Sequence, residues 1–229
     1  VLNVPELAIP GQEIYAMLGP NGCGKTTLLR ILALLHRNTA GRVEVLGEEV
    51  DWSKEQLLRL RRQMAMVTQT AFMFEGTVFY NVAYGMKVRG QRGKEVKRRV
   101  EDVIDLVGMT TFLKQDTRGL SGGERQKVAI AQTLAANTRF LILDEPTASL
   151  SLREVDELFA LIRDLVNRLN LCVIYISHRM PEVFSIADRI TVMRDGKVVG
   201  TVKPKESSID QIVFMMLNRQ REAIRRIPR

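Results

Sequence analysis

GPNGCGKT, residues Gly19 to Thr26, fits G-x-x-x-x-G-K-[ST]. It lies between an apolar strand pattern, EIYAML (Glu13 to Leu18), and an apolar helix pattern, TLLRILALL (Thr27 to Leu35). In that context the stretch is a phosphate-binding loop, because backbone N–H groups and a helix N-terminus converge on one anionic spot. Side chains in place of the glycines would hold the backbone off the phosphates and forbid some of the turn's dihedrals. The expected contacts to a nucleoside triphosphate are Gly19, Pro20, Asn21, Gly22, Cys23, Gly24, Lys25, Thr26 and Thr27. Lys25 would reach the β- and γ-phosphates, and the Thr26 hydroxyl would hold Mg2+.

At 229 residues, 45% hydrophobic and 26% charged, the chain can bury one substantial α/β core with a subdomain. No apolar run approaches the roughly 18 residues of a membrane span, so the chain is not expected to cross a membrane itself. There is no secretory signal, and a first residue of Val rather than Met points to residues trimmed upstream. Cys23 and Cys172 have neither metal spacing nor a disulfide framework, which fits a reducing cytoplasm. The net charge of +8 is concentrated at Lys87 to Arg99 and at the tail Arg219 to Arg229, and suggests an anionic neighbour. No aromatic residues interleave with these runs as base-stacking platforms would, so no nucleic-acid partner is expected. Solvated faces, or contact with anionic headgroups and a membrane partner, account for the same charge.

Along the chain, residues 1–50 read as short strands around the loop and its helix. These are LNVPELAI, EIYAML and RVEVLGEEV, forming a small mixed sheet turned at Gly41 and Gly47. Lys54 to Arg62 looks helical and MAMVTQ (Met64 to Gln69) looks like a buried strand with a polar end. From Thr77 to about Asn137 the period becomes 3.6, with Val96, Val100, Val103, Ile104 and Val107 in one stripe, which predicts a helical insert. Parallel-sheet patterns resume with FLILD (Phe140 to Asp144), a helix over Leu152 to Leu169, LCVIYIS (Leu171 to Ser177) and a helix near Pro181 to Ile186. RITVMRDGKVVGT then predicts a hairpin turned at Asp195-Gly196, and an amphipathic helix runs from Ile209 onward.

FLILDEP places Asp144 and Glu145 just past an apolar strand parallel to the one feeding the loop. Asp144 can bind Mg2+ there and Glu145 can polarise an attacking water, although an isolated Asp-Glu pair is commonly just solvated. LSGGERQ (Leu120 to Gln126) repeats the physics of the first loop. A serine suited to N-cap a helix and two glycines allowing close approach make Ser121, Gly122, Gly123 and Glu124 a second anion site. Taken alone, that pattern is more often a capped helix start.

A phosphate loop, Gln69 at a strand end, LSGGE, a strand ending DEP, and His178 after LCVIYIS stand in the order found in ATP-binding-cassette (ABC) ATPases, which the chain resembles as far as about Thr201. The resemblance implies an α/β P-loop NTPase fold. It would have a RecA-like core with a small N-terminal antiparallel β-subdomain (about 1–70 and 138–208), an inserted helical subdomain carrying the signature (about 71–137) and a basic tail (209–229). It also implies a head-to-tail dimer, in which ATP lies between one subunit's phosphate loop and the partner's LSGGE. Gln69 resembles the family's Q-loop glutamine, which senses Mg2+ and the attacking water. His178 resembles the switch histidine near the γ-phosphate. Without the family, Gln69 would be a polar strand cap and His178 a structural histidine.

Two departures stand out. Ser151 occupies the place of the family's usual Asp after DEPTASL, which puts communication between the two composite sites in doubt. The aromatic that stacks on adenine in this family would lie upstream of Val1. The chain has one ATPase unit and lacks a long coiled-coil insertion, which points to the ATPase subunit of a membrane transporter. Such a subunit would sit at the cytoplasmic face of the membrane with transmembrane permease subunits and, for an importer, an extracytoplasmic solute-binding protein. FMFEGTVFYNVAYGMKVRG (Phe72 to Gly90) resembles importers of oxyanions such as tungstate, molybdate and phosphate. ISHRMPEVFSIADRITVMRDGKVVGT (Ile176 to Thr201) resembles sugar importers. The oxyanion reading is favoured, with a sugar importer or a soluble nucleic-acid-associated ATPase as alternatives.

Overall fold

A computed structural model describes residues 2–217. Its centre is a six-stranded sheet in the order β4-β5-β6-β1-β7-β8. The strands are β1 (Ile14–Leu18), β4 (Met64–Val67), β5 (Phe140–Asp144), β6 (Cys172–Ile176), β7 (Arg189–Arg194) and β8 (Lys197–Val202). All neighbours pair parallel except β7 with β8, which form the hairpin expected at Asp195-Gly196. Both turn residues have positive φ, 50° and 76°, the signature of the tight turn that matches strand twist. β1 and β6 are buried along their whole length because helices cover both faces, and so they read as continuous apolar runs. β8, at the edge, alternates between half-buried and exposed.

Sheet residues divide between two cores. Ile14, Ala16 and Leu18 of β1 face a large core shared with α3 (Val78–Val88), α4 (Gly93–Leu106), α5 (Gly122–Ala135) and α6 (Leu152–Leu169). Met17, Ile142, Ile174 and Ile176 face the opposite way, onto Leu28 and Leu29 of α1 (Lys25–Leu32). The stripe Val96, Val100, Val103 and Ile104 on α4 is buried as its period requires. Among the described residues no helix is long and apolar enough to cross a membrane.

The N-terminal strands depart from expectation. Residues 2–9 form no strand; Pro5 lacks the N–H that a ladder would need. Leu2, Val4, Leu7 and Ile9 instead pack on the α1 side of the sheet, and Asn3 N–H donates to the Gly196 carbonyl at 2.7 Å. The expected mixed sheet is only a two-stranded antiparallel ribbon, β2 (Glu44–Val45) with β3 (Glu48–Glu49), packed near α2 (Lys54–Arg61). The phosphate-loop helix ends at Leu32 rather than Leu35, because Leu34 turns into left-handed backbone at φ 57° and buries completely. A short helix α7 (Met180–Ile186) follows β6, and α8 (Ile209–Leu217) begins the expected C-terminal helix. The basic tail Arg219 to Arg229 lies outside the described residues.

Candidate functional site

Three parallel strands deliver the chemistry to one edge of the sheet. β1 hands the chain to the phosphate loop, β5 ends at Asp144, and Ser177 and His178 follow β6. The registers pair Met17 with Ile176 and Ile176 with Asp144, so the three strand ends stand at one level. Because β6 runs between β1 and β5, the acidic pair sits two strands, about 10 Å, from the strand that feeds the loop. Gln69 lies exposed just beyond β4, at the same edge. Its backbone carbonyl accepts from Gln126 Nε2 at 3.2 Å, tying it to α5.

The loop fits a phosphate. A Cβ on Gly19 would lie 2.3 Å from the Met193 carbonyl oxygen and 2.7 Å from Cys23 Sγ, so the backbone is drawn in as only glycine allows. Gly24 starts α1 in left-handed backbone at φ 102°, and neither a capping side chain nor an acidic residue occupies the helix's first turn. The first N–H groups of α1 and its positive end therefore face the loop. Lys25 Nζ donates to the carbonyls of Gly19 at 2.6 Å and Pro20 at 3.0 Å, which holds the ammonium over the same loop.

Burial, and then the adjacent Glu145, raise the Asp144 carboxyl above the ordinary carboxylate range. A crowded carboxylate of this kind favours a nearby cation. Glu145 takes left-handed backbone at φ 49°, a conformation that costs a side-chain-bearing residue about 1–3 kcal/mol. Its N–H donates to the Ile176 carbonyl at 2.9 Å, which anchors the turn to β6. Glu145 Oε1 stands 3.2 Å from His178 Nδ1.

Behind this pair lies a polar network. Glu182 Oε2 accepts from Thr147 Oγ1 at 2.6 Å, Tyr175 OH at 3.0 Å and Ser177 Oγ at 3.1 Å, while Oε1 accepts from Arg179 at 3.0 Å. Burial alone would raise the Glu182 carboxyl, but these four donors outweigh it and hold it below its ordinary value.

The second glycine motif opens α5. Ser121 and Glu124 form a reciprocal capping box there. Among the described residues no hydrogen bond joins Ser121, Gly122, Gly123 or Glu124 to the phosphate loop. Ser121 Oγ and Gly123 N–H donate to Glu154 Oε1 on α6, each at 3.2 Å. The Glu154 carboxyl is held down to about 2, first by the Ser151 N–H, then by the Ser151 hydroxyl and by Gly123.

The family model described as "ABC transporter" matches residues 2–148. The chain belongs to the ABC transporter family. It is 37% identical over 224 residues to the ribose import ATP-binding protein of Halalkalibacterium halodurans, covering 96% of this chain and 45% of that protein. It is 38% identical over 210 residues to the sulfate/thiosulfate import ATP-binding protein of Chromobacterium violaceum, covering 90% of this chain and 58% of that one. Among solved structures, cbiO1 from Clostridium perfringens, described as part of the ABC transporter complex cbiONQ, superposes with a TM-score of 0.85 at 29% identity. The match covers 95% of this chain and 88% of that one. The chain spans about half the length of the curated relatives it matches.

In this ABC family member the residues singled out from sequence fall into two groups. The phosphate loop, Gln69, Asp144, Glu145 and His178 gather at one sheet edge. Ser121, Gly122, Gly123 and Glu124 face α6 instead, and the structure does not bring them to the loop within one chain. Sequence reasoning missed Thr147, Glu182 and Glu154. For Glu154 a signal was present: Ser151-Leu152-Arg153-Glu154 fits S-x-x-E before an apolar helix, and both Ser151 and Glu154 take part in a capping box. Nothing in the local pattern marks Glu182 as an acceptor for three hydroxyls, Thr147, Tyr175 and Ser177, which come from two other segments.

Proposed function

We propose that this chain binds and hydrolyses ATP as the nucleotide-binding subunit of an ABC importer. The observation that carries the reading is the convergence of the phosphate loop, Asp144, Glu145 and His178 at one sheet edge, with His178 Nδ1 on Glu145 Oε1 at 3.2 Å. Loop N–H groups and Lys25 bind the triphosphate. Thr26, Gln69 and Asp144 would hold Mg2+, which when bound neutralises phosphate charge. Among the described residues no cluster of three or more His, Cys, Asp or Glu could hold a metal ion. Mg2+ does not require one, because it commonly combines one or two protein oxygens with phosphates and water. Glu145 takes the proton of the attacking water, and His178 keeps that carboxylate aimed.

The signature, which has no hydrogen bond to the phosphate loop of its own chain among the described residues, supports a head-to-tail pair in which Ser121 and Gly123 serve the nucleotide of a second copy. Residues 1–70 and 138–208 then act as the core, and 71–137 as the arm that carries motion to transmembrane permease subunits. Exposed Phe72 and Val88, beside the stacked Phe74 and Tyr84, offer such a partner an apolar surface on that arm. The same reading puts the chain at the cytoplasmic face of a membrane, with an extracytoplasmic solute-binding protein in the system.

For cargo we favour an oxyanion, on the likeness over Phe72 to Gly90 and the sulfate/thiosulfate relative. A sugar is the second reading, supported by the likeness over Ile176 to Thr201 and the ribose relative. Calorimetry with Mg·ATP tests the core claim. Binding that needs Mg2+ and weakens at least about tenfold in Lys25→Ala is expected, and magnesium-independent or absent binding would overturn it. Stimulation of ATP turnover in the permease complex by molybdate or sulfate, against ribose, decides the cargo.

A further inference from the structure

We propose that Glu154 is a built-in latch on the signature end of α5. Its carboxylate holds Ser121 Oγ and Gly123 N–H, the donors that a second copy's nucleotide would need, so closure of the ATP-bound pair must first displace it. The inference rests on the shared-site reading above.

One carboxylate staples the start of α6 to the start of α5. Oε1 accepts from Ser121 Oγ and Gly123 N–H, each at 3.2 Å. Oε2 takes the Ser151 N–H at 3.0 Å and the Ser151 hydroxyl at 2.8 Å. Gly123 makes the approach possible, since a Cβ there would lie 2.9 Å from Glu154 Oε1 and 3.1 Å from its Cγ. The Ser121 hydroxyl has a single proton, directed at Glu154, while its oxygen accepts the Glu124 N–H at 3.2 Å. A phosphate oxygen arriving at these donors finds them in use and meets a like charge.

Serine at 151 is part of the device. An aspartate there would offer no hydroxyl proton to Oε2 and would set a second carboxylate against Glu154. Release needs no unfolding: Glu154 can swing away by its side-chain torsions, and Ser151 still caps α6 through the Glu154 N–H at 3.4 Å.

The test is the Mg·ATP concentration that half-saturates dimer formation, followed by light scattering on the full chain carrying Glu145→Gln to suppress turnover. Adding Glu154→Gln should lower that concentration about three- to tenfold, because neutral hydrogen bonds replace charge-assisted ones. Glu154→Ala should lower it at least as far. Glu154→Gln preserves the capping geometry of α6, so a folded variant is available. An unchanged or raised midpoint in both variants overturns the latch. Ser121→Arg is the control and should abolish ATP-dependent dimers. If it dimerises normally, the shared-site reading fails and the latch falls with it. If it blocks dimers while the Glu154 midpoints stay put, the latch alone is wrong.

Discussion

His178 Nδ1 and Glu145 Oε1 meet at 3.2 Å although the residues lie 33 positions apart, so one contact bridges the ends of β5 and β6. The pair has the geometry of a base and its orienting partner. Glu145→Gln should cut ATP turnover by about 10² to 10⁴ and leave nucleotide binding intact. His178→Ala should lower turnover by about 10², the scale at which small misplacements of a reacting group act. Steady-state phosphate release alongside calorimetry checks both, and near-wild-type turnover in Glu145→Gln would remove that carboxylate from the role of base.

Gly19→Ala should fail for a steric reason. The added methyl would stand 2.3 Å from a backbone oxygen, at Met193, which cannot rotate away as a side chain could. A loss of about 1–3 kcal/mol in unfolding free energy is expected, together with loss of Mg·ATP binding. Gly22→Ala is the comparison, since its Cβ would meet nothing within 4 Å and only its φ of 78° resists substitution. Equal effects in the two variants would count against close packing as the cause.

Glu182→Ala should destabilise the chain by about 2–4 kcal/mol, because it leaves the Thr147, Tyr175 and Ser177 hydroxyls without their acceptor. Glu182→Gln keeps one acceptor oxygen and should cost less. Thr147 lies two residues past Glu145, so turnover should fall in both variants even at temperatures where they remain folded. Denaturant unfolding and turnover, measured together, separate the two effects.

The Glu154 contact has a defined acid dependence. Its carboxyl is held at about 2 in the folded chain against an ordinary 4.5, so the contact's stabilisation is complete above about 4.5 and is lost as pH falls toward 2. Glu124, Glu157 and Lys127 line the same cleft, so the measurement must follow the Glu154 carboxyl carbon itself by NMR. A midpoint near 4.5 would mean that Ser121, Gly123 and Ser151 do not hold it in solution.

Much of the molecule is legible in its sequence. Turn and loop chemistry is local, so the glycines around Lys25, the serine cap at 121 and the Asp195-Gly196 hairpin each announce a backbone geometry through their own residue types. Buried strands β1, β5 and β6 announce themselves as apolar runs, and α4 does so through its stripe. Residues 2–9 misled for the same reason. Their apolar alternation is that of a strand, and only the packing of Leu2, Val4, Leu7 and Ile9 on the α1 side shows that burial, rather than a hydrogen-bonded ladder, explains it.

By itself, then, the order of residues determined most of the strands, helices and tight turns, because dihedral preference and periodicity act over a few neighbours. The tertiary structure alone decided that β6 inserts between β1 and β5, which sets the distance from loop to acidic pair. It alone decided that Glu182 collects donors from Thr147, Tyr175 and Ser177, and that Glu154 lands on Gly123, 31 residues away. Those pairings depend on which faces pack together, and a carboxylate's partner across two helix ends leaves no trace in the spacing of either helix.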